Sequence, residues 1–472
     1  MTKVDKNKYM IKKHGKMNSD IVVYINDYLY ELLMEENEAV YQLYNASFLP
    51  GVYKRVLGMP DIHTGFGLPI GGVMAMDGEE GVVSAGAVGM DINCGVRLLK
   101  TNIPRSDVNE GILKALLKEI ESKVPSGLGK KSREKKFRNI NLSRVAEFGA
   151  EEIVKTYGLG TDEDLQNTEE YGRIPGGDLD AVSSRAVERG DQIGTIGSGN
   201  HFIEIGYISK VYDKTLADLF GLKEKNITVL IHTGSRGFGH QICTDYTNMM
   251  LKKADSMKLP IPSKGLAYVP IKSQEGKQYL AAMAAAANFA FANRQIITDY
   301  VRNSFSKIFR RSWEKLGLKL VYDVAHNIAK FEEYDGKKLL IHRKGATRAL
   351  PSGHKANPLN YISTGHPAII PGTMGTASYV VVGTDKAYET FYSVNHGAGR
   401  VLSRNKAKKT ISQQEFNESL KGVICFQKSK KILDEAPTAY KDIEQVVDTL
   451  WEIGVTKKVV KLKPLAVLKG ED

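Results

Sequence analysis

Residues 394–400, VNHGAGR, set His396 between an asparagine and a pair of glycines, with Arg400 closing the run. An imidazole in such company is a poor core residue, because backbone rather than packed side chains would surround it. Its chemistry leaves four roles open: metal ligand, general base, nucleophile, or rim of a tight turn. The other histidines sharpen the question. Eight of the ten (His14, His63, His201, His232, His240, His354, His366 and His396) have a glycine within two positions, where average glycine usage would give roughly a third. A turn explains any one of them; the set points to a metal or phosphate site.

Candidate ligands sort by donor type. GMDINCG holds Asp91 and Cys94 three residues apart between glycines, so both side chains can turn to one centre. GSGNHFIEI offers His201 and Glu204, LIHTGSRGFGH offers His232 and His240, and YDVAHNIAK offers His326. The apolar runs before His232 and His326 read as strands delivering them to a sheet edge. Imidazole, thiolate and carboxylate together suit Mn²⁺, Fe²⁺, Co²⁺ or Zn²⁺ better than an all-oxygen Mg²⁺ or Ca²⁺ site. The donors exceed what a closed structural zinc needs and fit two ions sharing a bridging thiolate, a geometry useful in phosphoryl chemistry.

A second group suits anions. PGTMGTASY (371–379) is a glycine- and hydroxyl-rich loop whose amides, with Thr373, Thr376 and Ser378, can hold phosphate oxygens. No Gly-Lys-Ser/Thr follows, so it is not a Walker A loop. HRKGATRA brings His342, Arg343, Lys344 and Arg348, and HGAGRVLSR brings Arg400 and Arg404. Arginine forks match phosphate bidentately, so these loops favour a nucleotide and a second phosphate.

These residues lie far apart in the chain and need a scaffold that gathers them. The 472 residues are 42% hydrophobic and 25% charged, the composition of a globular protein with a sizeable core. Residues 1–45 read as a basic lead-in and a helix, 51–101 as short strands joined by tight turns, and 105–190 as a charged helical excursion. Residues 279–305 read as one long alanine-faced helix, and β texture resumes after 318. No repeat or linker divides the chain, which predicts one large α+β domain over 1–472, with a β-sheet core flanked by helices and the site in a central cleft. The charge of +12 favours polyanionic partners. The cluster KKSREKKFR at 130–138 is either a solvated face or a patch for RNA backbone. Cys94, Cys243 and Cys425 form no disulfide framework, which suggests a reducing compartment. The N-terminus lacks the apolar core of a signal peptide and no run is long enough to span a membrane, so the expected location is cytoplasmic.

GMPDIHTGFGLPIGGV, GMDINCGVR, GSGNHFIEI, HTGSRGFGHQI, DVAHNIAK, HRKGATRA, PGTMGTASYVV, HGAGR and LKPLAVLKG, in that order from about residue 50 onward, together resemble the RtcB family of RNA ligases. Thr373 stands where serine is common, and Phe66 and Leu68 vary the first block. The resemblance implies an enzyme that joins RNA 3′-phosphate or 2′,3′-cyclic phosphate ends to 5′-hydroxyl ends, in tRNA splicing or RNA repair, using GTP and two Mn²⁺ ions. It implies metal ligands at Asp91, Cys94, His201, His232 and His326, with Cys94 bridging. His396 would carry the guanylate before it passes to the RNA 3′-phosphate. Guanylate contacts would fall on Asn200, His201, Glu204, His326, Asn327, Pro371, Gly372, Thr373, Met374, Ser378, His396, Gly397, Ala398, Gly399, Tyr440 and Lys469. The second phosphate would be that of RNA, facing Arg400 and Arg404. The implied partners are RNA, including tRNA halves, and the activator protein archease. A metal-dependent phosphodiesterase or hydrolase without a covalent nucleotide is the alternative that the residues themselves leave open.

Overall fold

The structure, a computed structural model, describes residues 1–427 and 430–471. Two large sheets carry the α+β fold. The first orders Thr2–Asp5, Lys8–Ile11, Asp20–Val23, Val52–His63, Ile70–Asp77, Lys337–Lys344 and Asn327–Tyr334. The second runs Lys319–Ala325, Gly95–Pro104, Asn226–Thr233, Phe202–Val211, Thr456–Lys469, Ser378–Gly383 and Ala368–Ile370, with Ile424–Cys425 parallel to Thr456–Lys469. Leu57, Val73 and Ile341 of the first sheet share one buried cluster with Ile370, Tyr379 and Val381 of the second. Burying each such side chain is worth about 1.5–3 kcal/mol, so the interface between the sheets is a main source of cohesion.

The basic lead-in does not stay a lead-in. It forms three strands, the first exposed and the second and third burying Tyr9, Ile21 and Val23. The helix expected after it is two, Asp27–Glu35 and Glu38–Ala46, each opened by an asparagine, Asn26 and Asn37. The 105–190 stretch is indeed mostly helical, with Glu110–Lys123 the longest piece.

The alanine-faced helix is longer than its apolar run. It spans Gln274–Phe309, capped by Ser273, whose side chain accepts from the Gly276 amide, and ended by Arg310 in the left-handed region. Ala282, Ala285, Ala286, Ala287, Ala290 and Ala292 are fully buried, which lets neighbouring backbones approach closely. This helix also carries Asn288, Asn293, Arg294 and Gln295, all fully buried, and through them it reaches the loops of the site. Among the described residues no helix is long and apolar enough to cross a membrane.

Candidate active site

Strand register brings the distant donors together. In the second sheet Gly95 pairs with both Ala325 and Thr233, and His232 pairs with both Val96 and Phe202. Cys94, His201, His232 and His326 therefore sit at one end of four adjacent antiparallel strands. His326 lies at the corner where the chain leaves Lys319–Ala325 in one sheet and enters Asn327–Tyr334 in the other. The Asp91–Cys94 turn is held by its own backbone, Cys94 N donating to Asp91 O at 2.9 Å, and by Asn327 Nδ2 donating to the same oxygen at 3.1 Å.

Two donor sets share one thiol. Asp91, Cys94 and His201 form the first and Cys94, His232 and His326 the second, with donor atoms within 4.8 Å of one another in each. Cys94 Sγ lies 3.3 Å from Nε2 of both His201 and His232, and His232 Nε2 lies 3.2 Å from His326 Nε2. Burial drives His232 and His326 well below the ordinary imidazole range, and neighbouring imidazole charge adds to this. Burial would raise the Asp91 carboxyl, but the His201 ring, together with His240 and Arg236, outweighs it and holds that carboxyl far below the usual range. Burial, with the Asp91 charge, pushes the Cys94 thiol well above its ordinary value. Neutral imidazoles and an ionised carboxylate are the ligating forms, and a thiol raised by burial loses its proton to an arriving cation. The donor set fits divalent ions bridged by sulfur.

His201 Nδ1 has two neighbours, the Ile196 carbonyl at 3.1 Å and Arg236 Nη1 at 2.9 Å. A carbonyl accepts only from an N–H, so an ion on Nε2 favours the Ile196 contact. Arg236 crosses closely over Gly197, whose φ is +79°, and a Cβ there would lie 1.4 Å from the guanidinium. Arg236 Nε is buried without a partner and offers a donor to an anion.

His396 stands beside this cluster, its ring centroid 5.1 Å from that of His326. Asp61, fully buried at the end of Val52–His63, accepts His396 Nδ1–H at 2.6 Å and the His396 and Gly397 amides at 2.9 and 3.3 Å, all on Oδ2. That orientation leaves His396 Nε2 with a free lone pair. Gly399 has φ +74°, and a Cβ there would lie 2.3 Å from the Asp61 carbonyl. Its clearance serves the Asp61 strand. Lys441, which burial lowers to about 8, donates to the Pro60 and Ile62 carbonyls at 3.2 and 2.5 Å and fixes that strand from behind.

Cluster and nucleophile candidate share a cleft of about 510 Å³. Its wall includes Asp91, Cys94, Asn200, His201, His232, His326, Asn327, Pro371, Gly372, Thr373, Met374, His396, Gly397, Ala398, Gly399, Arg400, Arg404, Tyr440 and Lys469. Glu204 and Ser378 do not reach the wall. Glu204 is buried within its strand, and burial raises it to about 8. Ser378 Oγ accepts from the Gly372 amide at 3.0 Å and so shapes the loop from behind.

The anion group divides. Lys344 lines the cleft, donating to the Phe66 and Gly86 carbonyls, and burial lowers it to about 8. His342, Arg343 and Arg348 do not line it. Arg343 pairs with Glu332, and Arg348 with buried Glu169 and part-exposed Glu170, and both guanidinium groups are themselves buried, so they act as structural cations. Arg400 reaches the wall with its fork engaged, donating to Leu402 O, Asp434 O, Glu435 and the Tyr440 hydroxyl. That set of contacts holds the guanidinium in place on the cleft wall. Arg404 is half-exposed and paired at 3.1 and 3.2 Å with Asp434 and Glu435. Glu435 is the unexpected hub. Burial raises it, but Lys469, Arg404 and Arg400 outweigh burial and hold it at about 2, and it accepts from Tyr440 at 2.6 Å.

Residues 42–470 match the family model described as "tRNA-splicing ligase RtcB". The chain is 48% identical over 480 residues to the tRNA-splicing ligase RtcB of Nanoarchaeum equitans, covering 100% of this chain and 99% of that one. It is 45% identical over 480 residues to the protein of that name from Thermococcus kodakarensis, with the same coverage. To that of Methanococcus maripaludis it is 46% identical over 457 residues, 95% of this chain and 94% of the other. With the donor cluster and the asparagine–histidine–glycine turn in one cleft, these matches establish that the chain belongs to the RtcB tRNA-splicing ligase family.

Proposed function

We propose that this chain is a GTP- and Mn²⁺-dependent RNA ligase that joins a 3′-phosphate or 2′,3′-cyclic phosphate end to a 5′-hydroxyl end. Membership of the family, with relatives named tRNA-splicing ligases, supports RNA ligation in tRNA splicing; repair of broken RNA follows from the same end chemistry. The observation that carries the finer reading is His396, its Nδ1 bound to buried Asp61 and its Nε2 free, beside a donor cluster that needs cations.

A 3′-phosphate is a poor electrophile, because displacement would expel a strongly basic oxide. Transfer of GMP onto it provides a leaving group, which is the chemical reason for using GTP. A cyclic end is first opened by water to the 3′-phosphate. The His396 Nε2 lone pair then forms a bond to the α-phosphorus of GTP while the bond to the bridging oxygen breaks and pyrophosphate departs. Asp61 retains the Nδ1 proton and offsets the positive charge of the phosphorylated ring. An oxygen of the RNA 3′-phosphate attacks the same phosphorus and the N–P electron pair returns to Nε2. Finally the 5′-hydroxyl oxygen bonds to the 3′-phosphorus, GMP leaves, and the hydroxyl proton passes to solvent. Asp91, Cys94, His201, His232 and His326 would hold the two Mn²⁺ ions, which supply charge neutralisation at the phosphates. Arg236, Arg404 and Lys344 add fixed cations on the wall.

The test is joining of two RNA strands, one ending in 3′-phosphate and one beginning with 5′-hydroxyl. Product that requires both GTP and Mn²⁺ is expected; end hydrolysis without joining and without a GTP requirement would instead identify a phosphodiesterase.

A further inference from the structure

The cluster at residues 130–138 takes no part in the reaction above, yet its placement is specific. It belongs to a strap, residues 126–138, that starts on the lip of the cleft. Ser126 bridges Gly197, the Gly127 amide donates to the Gly197 carbonyl at 2.9 Å, and the Leu128 amide donates to Glu471 O at 3.3 Å. The chain beyond Gly197 is cleft wall, through Ser198, Gly199, Asn200 and His201, and Leu128 is itself part of that wall. Further along, Ser132 is buried and its amide donates to Asp191 O at 2.8 Å. At the far end Phe137 is fully buried against Tyr157 and Tyr300. The strap is thus fastened at its start, middle and end.

Its cations all point the other way. Lys130, Lys131, Arg133, Lys135, Lys136 and Arg138 are exposed. Lys131 pairs with Asp191 and Lys136 with Glu134. Among the described residues, Lys130, Lys135 and Arg138 have no acidic partner. Nearby, Lys123 and Lys307 both close on Glu119, which is what a merely solvated charged face does. Leu128 is the one large apolar side chain the strap exposes. Membrane and protein docking surfaces need more apolar area than that, whereas a polyphosphate backbone needs cations on a fixed support.

We propose that this strap is the track for the phosphate backbone of an RNA strand leaving the cleft, with Lys130, Lys135 and Arg138 as its contacts. The proposal rests on the RNA-ligase reading of the cleft. It predicts that RNA long enough to leave the cleft depends on the strap and that a short end does not.

The test compares wild-type protein with a triple variant, Lys130→Ala, Lys135→Ala and Arg138→Ala, binding 3′-phosphorylated RNA of about 4 and about 20 nucleotides over a range of salt. For the longer RNA the slope of log K against log salt should become shallower by about 2, close to 0.7 for each lost single-strand contact, with affinity about tenfold or more weaker at low salt. Affinity for the short RNA and guanylylation by GTP should match wild type. A charge-conserving variant, Lys130→Arg, Lys135→Arg and Arg138→Lys, should bind the longer RNA as wild type does. Equal slopes for the triple variant and wild type, or equal weakening for both lengths, overturns the track alone. Wild-type protein that binds neither RNA and takes no guanylate overturns the cleft reading and the track with it.

Discussion

Two clusters of buried polar side chains lie back to back in this protein, and they are opposites. Behind the cleft, Asp323 accepts from Arg97 Nε at 2.7 Å and from Arg294 Nε and Nη2 at 2.9 Å each. Arg294 Nη1 donates to the Asn93 and Thr233 carbonyls at 2.8 and 2.9 Å, and Arg302 makes a two-pronged pair with Asp164. This network is complete. In the cleft, the Nε2 atoms of three imidazoles crowd one another and the Cys94 thiol with no counter-cation among them. A complete buried network is a scaffold, whereas an incomplete one awaits something from outside. Arg294 joins the two: it clamps the residues beside Cys94 and His232, and the strand that ends at His326.

The comparison can be broken most severely at His396. His396→Ala should abolish guanylylation, a loss of at least about 10³-fold, while metal content stays at the wild-type level; retained ligation would remove His396 from the mechanism. Asp61→Asn keeps the shape and can still present an oxygen to His396 Nδ1, but it loses the negative charge that offsets the phosphorylated ring, and should slow guanylylation by about 10²-fold with metal content unchanged. A rate within threefold of wild type would make Asp61 a packing residue only.

The scaffold and the cluster should then respond differently to loss of one member. Arg294→Met leaves the Asp323 carboxylate buried beside a single remaining arginine and should cost about 3–5 kcal/mol of stability, read from denaturant unfolding. Cys94→Ala removes a shared ligand from an unfinished site, so it should lower bound Mn²⁺ sharply while shifting metal-free stability by less than about 1.5 kcal/mol. Equal stability losses in the two variants would erase the distinction.

The smallest effect concerns pH. Glu204 has a folded pKa of about 8, raised by burial from 4.5. Below pH 4.5 both folded and unfolded forms are protonated and its contribution is fully present. As pH rises toward 8 the unfolded carboxyl ionises first, so stability declines by at most about 1.4 kcal/mol per pH unit. Glu204→Gln should flatten that decline between pH 5 and 8, seen in melting temperatures.

Residue type and spacing made the cluster legible. Glycine-flanked histidines after apolar runs, and an Asp and Cys within one turn, are local signals. Partnership is not local. Asp61 lies 335 positions from His396, and its only sequence signal was a carboxylate within the apolar run VLGMPDI. Arg343 and Arg348 read as phosphate ligands because Glu332, Glu169 and Glu170, which neutralise them, reach them only through the fold. The hub at Glu435 gave no signal, since its four cationic or hydroxyl partners come from three separate segments. The N-terminal strands were hidden because each is only four residues long and the first two carry lysines.

The central claim is that His396 becomes covalently guanylylated beside a cation cluster that it does not join. Peptide mass spectrometry after incubation with GTP and Mn²⁺ tests it most directly. The account predicts a GMP-sized, acid-labile addition confined to the peptide bearing His396, absent when Mn²⁺ is omitted. An addition on another residue, or none with Mn²⁺ bound, would contradict it.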